Sequence, residues 1–345
     1  MTKGNEWIDL RSDTVTRPTL PMLEYMFNAE CGDDVFGEDP SVNALEKKSA
    51  EIFGMEAALF VPSGTMANQI AIRLHTRSQD EVMCDRLSHI YYYEAGGMFS
   101  NSGVSVRFLD GDRGRISAEQ ILQNINDRNN IHLPLSTLVS IENTCNKGGG
   151  SFYKVDEVHK ISNVCREHHL KLHMDGARIF NALTESRESP QQYGMICDSI
   201  SFCLSKGLGA PVGSVLLSSE ENIQKARRIR KGFGGGMRQA GFMAAAGIFA
   251  LDNHIDRLEQ DHENAKKIGK TLANQTWVSE VLPVETNIVV FRLADQINTD
   301  LLLNYLVKKN IKAVPFGNQT IRMVTHLDIS NDMIENVIIA LNNFD

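Results

Sequence analysis

From about residue 40 onward the chain alternates short, continuously apolar runs with stretches of helical spacing. No other feature constrains its fold as strongly. The runs Ala57–Val61, Glu81–Cys84, Ser105–Leu109, Thr137–Glu142, Leu170–Asp175 and Ser199–Leu204 are too short for helices and read as buried strands. Ser41–Phe53 places Val42, Leu45, Ile52 and Phe53 at helical spacing and stops at Gly54, an effective C-terminal breaker. Ala67–Leu74, Ala118–Asn124, Lys154–His168 and Glu221–Arg230 are helical in pattern. Strands that are apolar on both faces must be covered on both. The expected class is therefore α/β, with a mainly parallel sheet between helices.

A long polar helix over Leu251–Ala273 is expected to follow, leading into a smaller α/β unit that contains Asn287–Phe291, Asp300–Lys309 and Ile321–Val324. For 345 residues the natural division is a large domain, 1–250 with the N-terminal segment included, and a small C-terminal domain, 251–345. The formal charge of −8, with acids and bases mixed along the chain, argues against a nucleic-acid partner and offers no basic face to a membrane. The longest apolar stretch, Gly241–Leu251, falls short of the roughly 20 residues that span a bilayer and reads as a core helix. The opening MTKGNEWIDL lacks the shape of a secretory signal. The six cysteines form no C-x-x-C pair and lie mostly in apolar surroundings, which points to reduced, buried thiols in a cytoplasmic enzyme.

The stretch SFCLSKGLGAPVGSVLL carries the first chemical signal. A strand filled with Ile200, Phe202, Cys203 and Leu204 ends at Lys206, and Gly207, Gly209 and Gly213 let the backbone return through Val215–Leu217. A partly desolvated lysine loses charge more readily, and a neutral amine attacks an aldehyde. In LFVPSGTMANQIAI a strand runs into Ser63-Gly64-Thr65 and then a helix. Backbone N–H groups there favour an anion, although a plain helix cap is an equal reading. In KLHMDGARIFNA, Asp175 ends a strand where ligands of open α/β sheets bind. It can also serve as a helix cap, and Arg178 as a surface arginine. One cofactor accounts for amine, carboxylate and anion cup together: pyridoxal 5'-phosphate.

With those residues stand IDLRSDTVTRPT, GDDVFGEDPSVNALE, SHIYYYE, ENTCNKGGG and GFGGGMRQAG, and the chain resembles the L-threonine aldolases over nearly its whole length. The resemblance implies the pyridoxal-phosphate fold type I of aspartate aminotransferase, with a large domain built on a seven-stranded, mainly parallel sheet. It also implies cleavage of L-threonine or L-allo-threonine to glycine and acetaldehyde, in a homotetramer whose active sites lie at dimer interfaces. By position, Lys206 matches the lysine that holds the cofactor, Asp175 the partner of its ring nitrogen, and Ser63, Gly64 and Thr65 the phosphate cup. His89 matches a histidine stacked on the ring and the first choice of base, with His132 the second. Ser12, Arg178 and Arg322 match groups that hold the substrate carboxylate. Arg238, in the Gly232–Gly241 loop, either reaches a neighbouring subunit's phosphate or belongs to a mobile surface loop. Leu135 stands where many relatives have arginine, and Cys145 where some have histidine. The same Lys206 and Asp175 would serve another β-eliminating lyase or an aminotransferase, and a non-catalytic cofactor-binding protein is the reading from another class. His168, His169 and His173 straddle a helix end and a strand, so no metal site is expected.

Overall fold

The computed structural model describes residues 7–344. In chain order its strands are β1 Ile8–Asp9, β2 Ala57–Val61, β3 Glu81–Asp85, β4 Ser105–Leu109, β5 Ser136–Glu142, β6 Lys171–Asp175, β7 Ser199–Cys203, β8 Ser214–Ser218, β9 Val278–Val281, β10 Ile288–Leu293, β11 Ile311–Lys312, β12 Val314–Gly317 and β13 Thr320–Val324. The six apolar runs read from the sequence, together with the return through Val215–Leu217, form one seven-stranded sheet in the order β2-β8-β7-β6-β5-β3-β4. From β7 to β4 all neighbours are parallel, while β8 runs antiparallel to both β2 and β7. Every residue of β3, β7 and β8 is buried, as a sheet covered on both faces requires.

The helices begin and end where the local chemistry dictates. Pro40–Phe53 is capped by Asp39, which accepts from the Val42 amide, and it closes at Gly54 in the left-handed region (φ 62°). The helix expected from Ala67 starts earlier, at Gly64, because the Ser63 hydroxyl caps it by accepting from the Met66 amide. The long helix expected over Leu251–Ala273 is instead two. Gly241–Asn253 ends, residues 254–257 turn, and Leu258–Ala273 begins. The turn is anchored by buried His254, whose Nδ1 donates to the Leu208 carbonyl (2.7 Å).

There are two principal apolar cores. The first lies on the large sheet and holds Phe53, Phe60, Phe202 and Leu258. The second packs helices Leu258–Ala273 and Asn331–Asn342 on the antiparallel sheet β12-β13-β10-β9. The packing moves two expected boundaries. Residue 250 lies inside the helix Gly241–Asn253, so the change of core falls at the 254–257 turn. The N-terminal segment, expected with the large sheet, joins the second core: β1 pairs in parallel with β11, and Ile8 and Leu10 pack among Leu272, Ile311 and Leu341. An I-x-L pair shows one apolar face but not which sheet will receive it. From Leu10 the chain then crosses to the edge of the large sheet, and this crossing delivers Ser12 and Asp13 to the site.

Candidate active site

Parallel strands end at a common edge, and here β5, β6 and β7 end side by side at Glu142, Asp175 and Cys203. Lys206 follows β7 on a tight return. Its carbonyl accepts from the Gly209 amide (2.8 Å), Gly209 takes a positive φ of 78°, and the Leu204 amide reaches the Gly213 carbonyl (3.0 Å). The lysine is half-buried at this edge. The N-terminus of the helix Gly64–His75 packs directly beside it. A Cβ on Gly64 would lie 2.7 Å from Cys203 Sγ, so only glycine lets the helix end approach β7 this closely. Ser63 caps that end by accepting from the Met66 amide, and Thr65 beside it is exposed; the first amides of a helix lack partners within it.

Behind Asp175 lies a fully paired polar cluster. Asp175 Oδ2 accepts from Asn68 Nδ2 (2.8 Å) and Oδ1 from the Ala177 amide (3.1 Å). Asn68 also donates to Glu94 Oε1 (2.8 Å), and the same oxygen meets His89 Nδ1 (2.9 Å). The His89 backbone amide donates to Glu142 Oε2 (3.0 Å). Burial works against a charged His89, but the bond from Glu94 and the charges of Asp175 and Glu142 prevail and hold its pKa above the ordinary value. Glu142 is pushed up to about 7, first by burial and then by Asp175 beside it. The ligand atoms of His89, Glu94 and Asp175 lie within 4.8 Å of one another, a spacing compatible with a cation, but the Asn68 amide already bridges the two carboxylates. His168, His169 and His173 do not converge: His168 caps a helix, His169 is exposed, and His173 is buried against Ser199.

Facing this edge are two arginines. Buried Arg178 grips Asp13 through Nε (2.7 Å) and Nη2 (2.6 Å), leaving Nη1 outside the pair. Burial would raise the Asp13 carboxyl, but Arg178, Lys206 and His326 hold it well below the usual carboxylate range. Arg322, on β13, donates from Nη1 to Asn146 Oδ1 (2.7 Å) and from Nη2 to the Arg11 carbonyl (2.9 Å), while its buried Nε has no partner among the described residues. Burial and the Arg178 cation push Arg322 down to about 10. Arg178 has Asp13 as its counter-ion, but among the described residues Arg322 has no carboxylate against it, which suits an anionic ligand. Ser12 lies alongside, its hydroxyl accepting from the Thr14 amide (3.2 Å). Lys147 closes the rim: its Nζ sits 4.4 Å from the Phe316 ring centroid and 4.9 Å from that of Tyr92, and donates to the Phe316 carbonyl (3.0 Å). Arg322 also lies over Phe316, 4.7 Å from its centroid. Phe316 thus contacts both cations.

The structure therefore brings together Lys206, Asp175, His89, Ser63, Gly64, Thr65, Ser12, Arg178 and Arg322. It does not bring His132 or Arg238 to this site within one chain. His132 is exposed on the loop that enters β5, at the end of the strand opposite Glu142. Seven residues of strand at about 3.3 Å each separate the two ends by roughly 20 Å. Arg238 is exposed and held by Asp33 Oδ2 (3.0 Å). Sequence reasoning passed over Asp13, Asn68, Glu94, Glu142 and Lys147. Glu142 had the signal that found Asp175, a carboxylate at the end of an apolar strand. Asn68, in mid-helix, had none.

The family model for beta-eliminating lyases matches residues 9–296. The low specificity L-threonine aldolase of Escherichia coli K12 is 40% identical over 333 residues, covering 96% of this chain and 97% of that protein. The chain belongs to the L-threonine aldolase family. The low-specificity L-threonine aldolase of Candida albicans is 38% identical, covering 95% of this chain and 87% of that one. A Leishmania major threonine aldolase structure superposes with a TM-score of 0.84 at 20% identity, covering 97% of this chain and 98% of that one, and bears on the fold. Within the L-threonine aldolase family this chain's Cys145 is buried, with its Sγ donating to the Glu142 carbonyl (3.0 Å), so it lies beneath the site. Leu135 lies exposed on the His132 loop.

Proposed function

We propose that this chain is a pyridoxal 5'-phosphate-dependent aldehyde-lyase that cleaves L-threonine and L-allo-threonine to glycine and acetaldehyde. The observation that carries the reading is the meeting, at one sheet edge, of a half-buried lysine, a buried carboxylate and a glycine-packed helix end. The cofactor fits this set. Lys206 would hold its aldehyde carbon, Asp175 its ring nitrogen, and the amides of Gly64 and Thr65, with Ser63, its phosphate. When bound, it supplies an electron sink conjugated to the substrate Cα. Ser12, Arg178 Nη1 and Arg322 would fix the substrate carboxylate, which sets which bond at Cα stands perpendicular to the ring. His89 Nδ1 is occupied by Glu94, which leaves Nε2 to take the proton of the β-hydroxyl as the Cα–Cβ bond breaks. The converging trio of His89, Glu94 and Asp175 is read as the support of this site rather than as a metal centre.

His132 and Arg238 would act on a second copy's site, in the tetramer the family resemblance implies. The free, largely buried cysteines fit a cytoplasmic enzyme of amino-acid metabolism. No helix among the described residues is long and apolar enough to cross a membrane. The test is release of acetaldehyde from L-threonine and L-allo-threonine by purified protein, with no added keto acid. An aminotransferase would require the keto acid, and a β-eliminating lyase would release ammonia and 2-oxobutanoate instead. Borohydride reduction followed by peptide mass analysis should place a pyridoxyl group on Lys206. Lys206→Ala should lose that label and nearly all turnover, and a labelled, active Lys206→Ala protein would refute the assignment.

A further inference from the structure

Among the described residues, Asn68 is the one side chain that hydrogen-bonds to both Asp175 and Glu94. Its orientation is forced by its neighbours. Asp175 Oδ2 and Glu94 Oε1 each lie 2.8 Å from one amide atom, and a carboxylate pair at that distance demands the NH2 group. The amide oxygen then faces Ser201 Oγ (2.8 Å) and His173 Nε2 (3.2 Å), which must both donate. With Nε2 protonated and the ring neutral, His173 Nδ1 accepts from Ser199 Oγ (2.9 Å). Ser199 Oγ, its hydrogen spent, accepts from His75 Nε2 (2.9 Å). Burial pushes His173 down to about 4 and His75 down to about 3, so both rings are neutral as this order requires. Each link has one allowed direction, and all of them deliver hydrogen toward the two carboxylates. Asn68 uses both donors and both acceptor sites, and it is 1% exposed.

We propose that Asn68 is a positioning residue of the reaction: it fixes Asp175 as a pure acceptor toward the cofactor and links it, through Glu94, to His89. This rests on the pyridoxal-phosphate reading above. Glu94 accepts from Asn68, from His89 and, at its other oxygen, from Gln69 Nε2 (2.6 Å), so it has no hydrogen to give. The two functional groups thus share one hub, buried beneath the strand edge.

The experiment compares wild-type holoenzyme with Asn68→Asp and Asn68→Ser, reconstituted with pyridoxal phosphate. Asn68→Asp keeps size and acceptors but removes both donated hydrogens, placing a third carboxyl beside the other two. Asn68→Ser keeps a single donor. The expected result for Asn68→Asp is a kcat lower on the order of 10- to 100-fold, the scale of lost supporting partners at functional groups. KM for L-threonine should change by about threefold or less, because Ser12, Arg178 and Arg322 are untouched. The visible absorbance band of the bound cofactor should shift, a change that loosened packing alone would not give. Asn68→Ser should lie between Asn68→Asp and wild type, and it decides the matter alone if Asn68→Asp does not fold. Wild-type kcat and band in a folded variant would overturn the proposal, as would a fall in kcat with no change of band. A wild-type protein that takes up no pyridoxal phosphate would overturn the underlying reading itself.

Discussion

Arg178 sits at 7% exposure, where a lone guanidinium is costly, and Asp13 supplies the counter-ion. The pair is part of the site's architecture as much as of its chemistry, since Asp13 orients the fork that leaves Nη1 free for a ligand. Asp13→Asn should destabilise the protein by about 3–5 kcal/mol, the usual consequence of leaving a buried charge unpaired, read by urea unfolding. Because the folded carboxyl titrates below its unfolded value of about 3.9, its stabilisation is complete above that pH and is lost on acidification. The difference between wild type and Asp13→Asn should therefore shrink as pH falls below about 4. His89 gives the opposite sign. Its pKa is raised, so a reaction needing its neutral form should gain rate through a limb above the ordinary value of about 6.5. The bond from Glu94 is the largest influence raising it. Glu94→Gln should move the acid limb of kcat/KM toward lower pH, and an unmoved limb would remove His89 as the titrating base.

The same reasoning at the level of elements concerns how closely the helix Gly64–His75 approaches β7. Gly64→Ala would drive a methyl to 2.7 Å from Cys203 Sγ, where overpacking costs about 1–3 kcal/mol. The helix end would have to withdraw, so affinity for pyridoxal phosphate should fall along with the melting temperature. Cys203→Ala, which frees that space, should restore much of both in the double variant, and failure to do so would place the clash elsewhere. Six strands of the large sheet were legible because each holds a short apolar stretch between helical segments, and the seventh, β8, showed only as the return after Lys206. Their C-terminal ends located Asp175 and Lys206 by position alone. The start of the Gly64 helix was blurred because a serine cap and a glycine carry no periodicity. The 254–257 turn was hidden because a buried histidine bonded to a distant carbonyl leaves no local mark. Asp13, Asn68 and Glu94 were illegible for the same reason: their roles lie in partners distant in sequence, which composition and spacing do not encode.

For the whole molecule the open question is how His132 could serve a site about 20 Å away along its own strand. The loop that carries it leaves Ile131 at 94% exposure, with Leu133 and Leu135 also open, an apolar surface that suits a second copy of the chain. In a twofold dimer the same patch serves both partners, so each site would take Lys206 from one copy and His132 from the other. This arrangement has a signature that no single-chain site can produce. Lys206→Ala should be nearly inactive alone, and His132→Ala much reduced if this histidine assists His89 in the neighbouring copy's site. When the two are mixed, dissociated and reassociated, half of the dimers formed by random pairing are hybrids. In each hybrid one site collects both defects and the other collects none. Acetaldehyde release should then return to roughly a quarter of the wild-type rate per chain. If both residues acted within one chain, every site of every hybrid would still lack one of them, and mixing would restore nothing. Full activity in His132→Ala alone would remove that histidine from the reaction and leave His89 as the only base within reach.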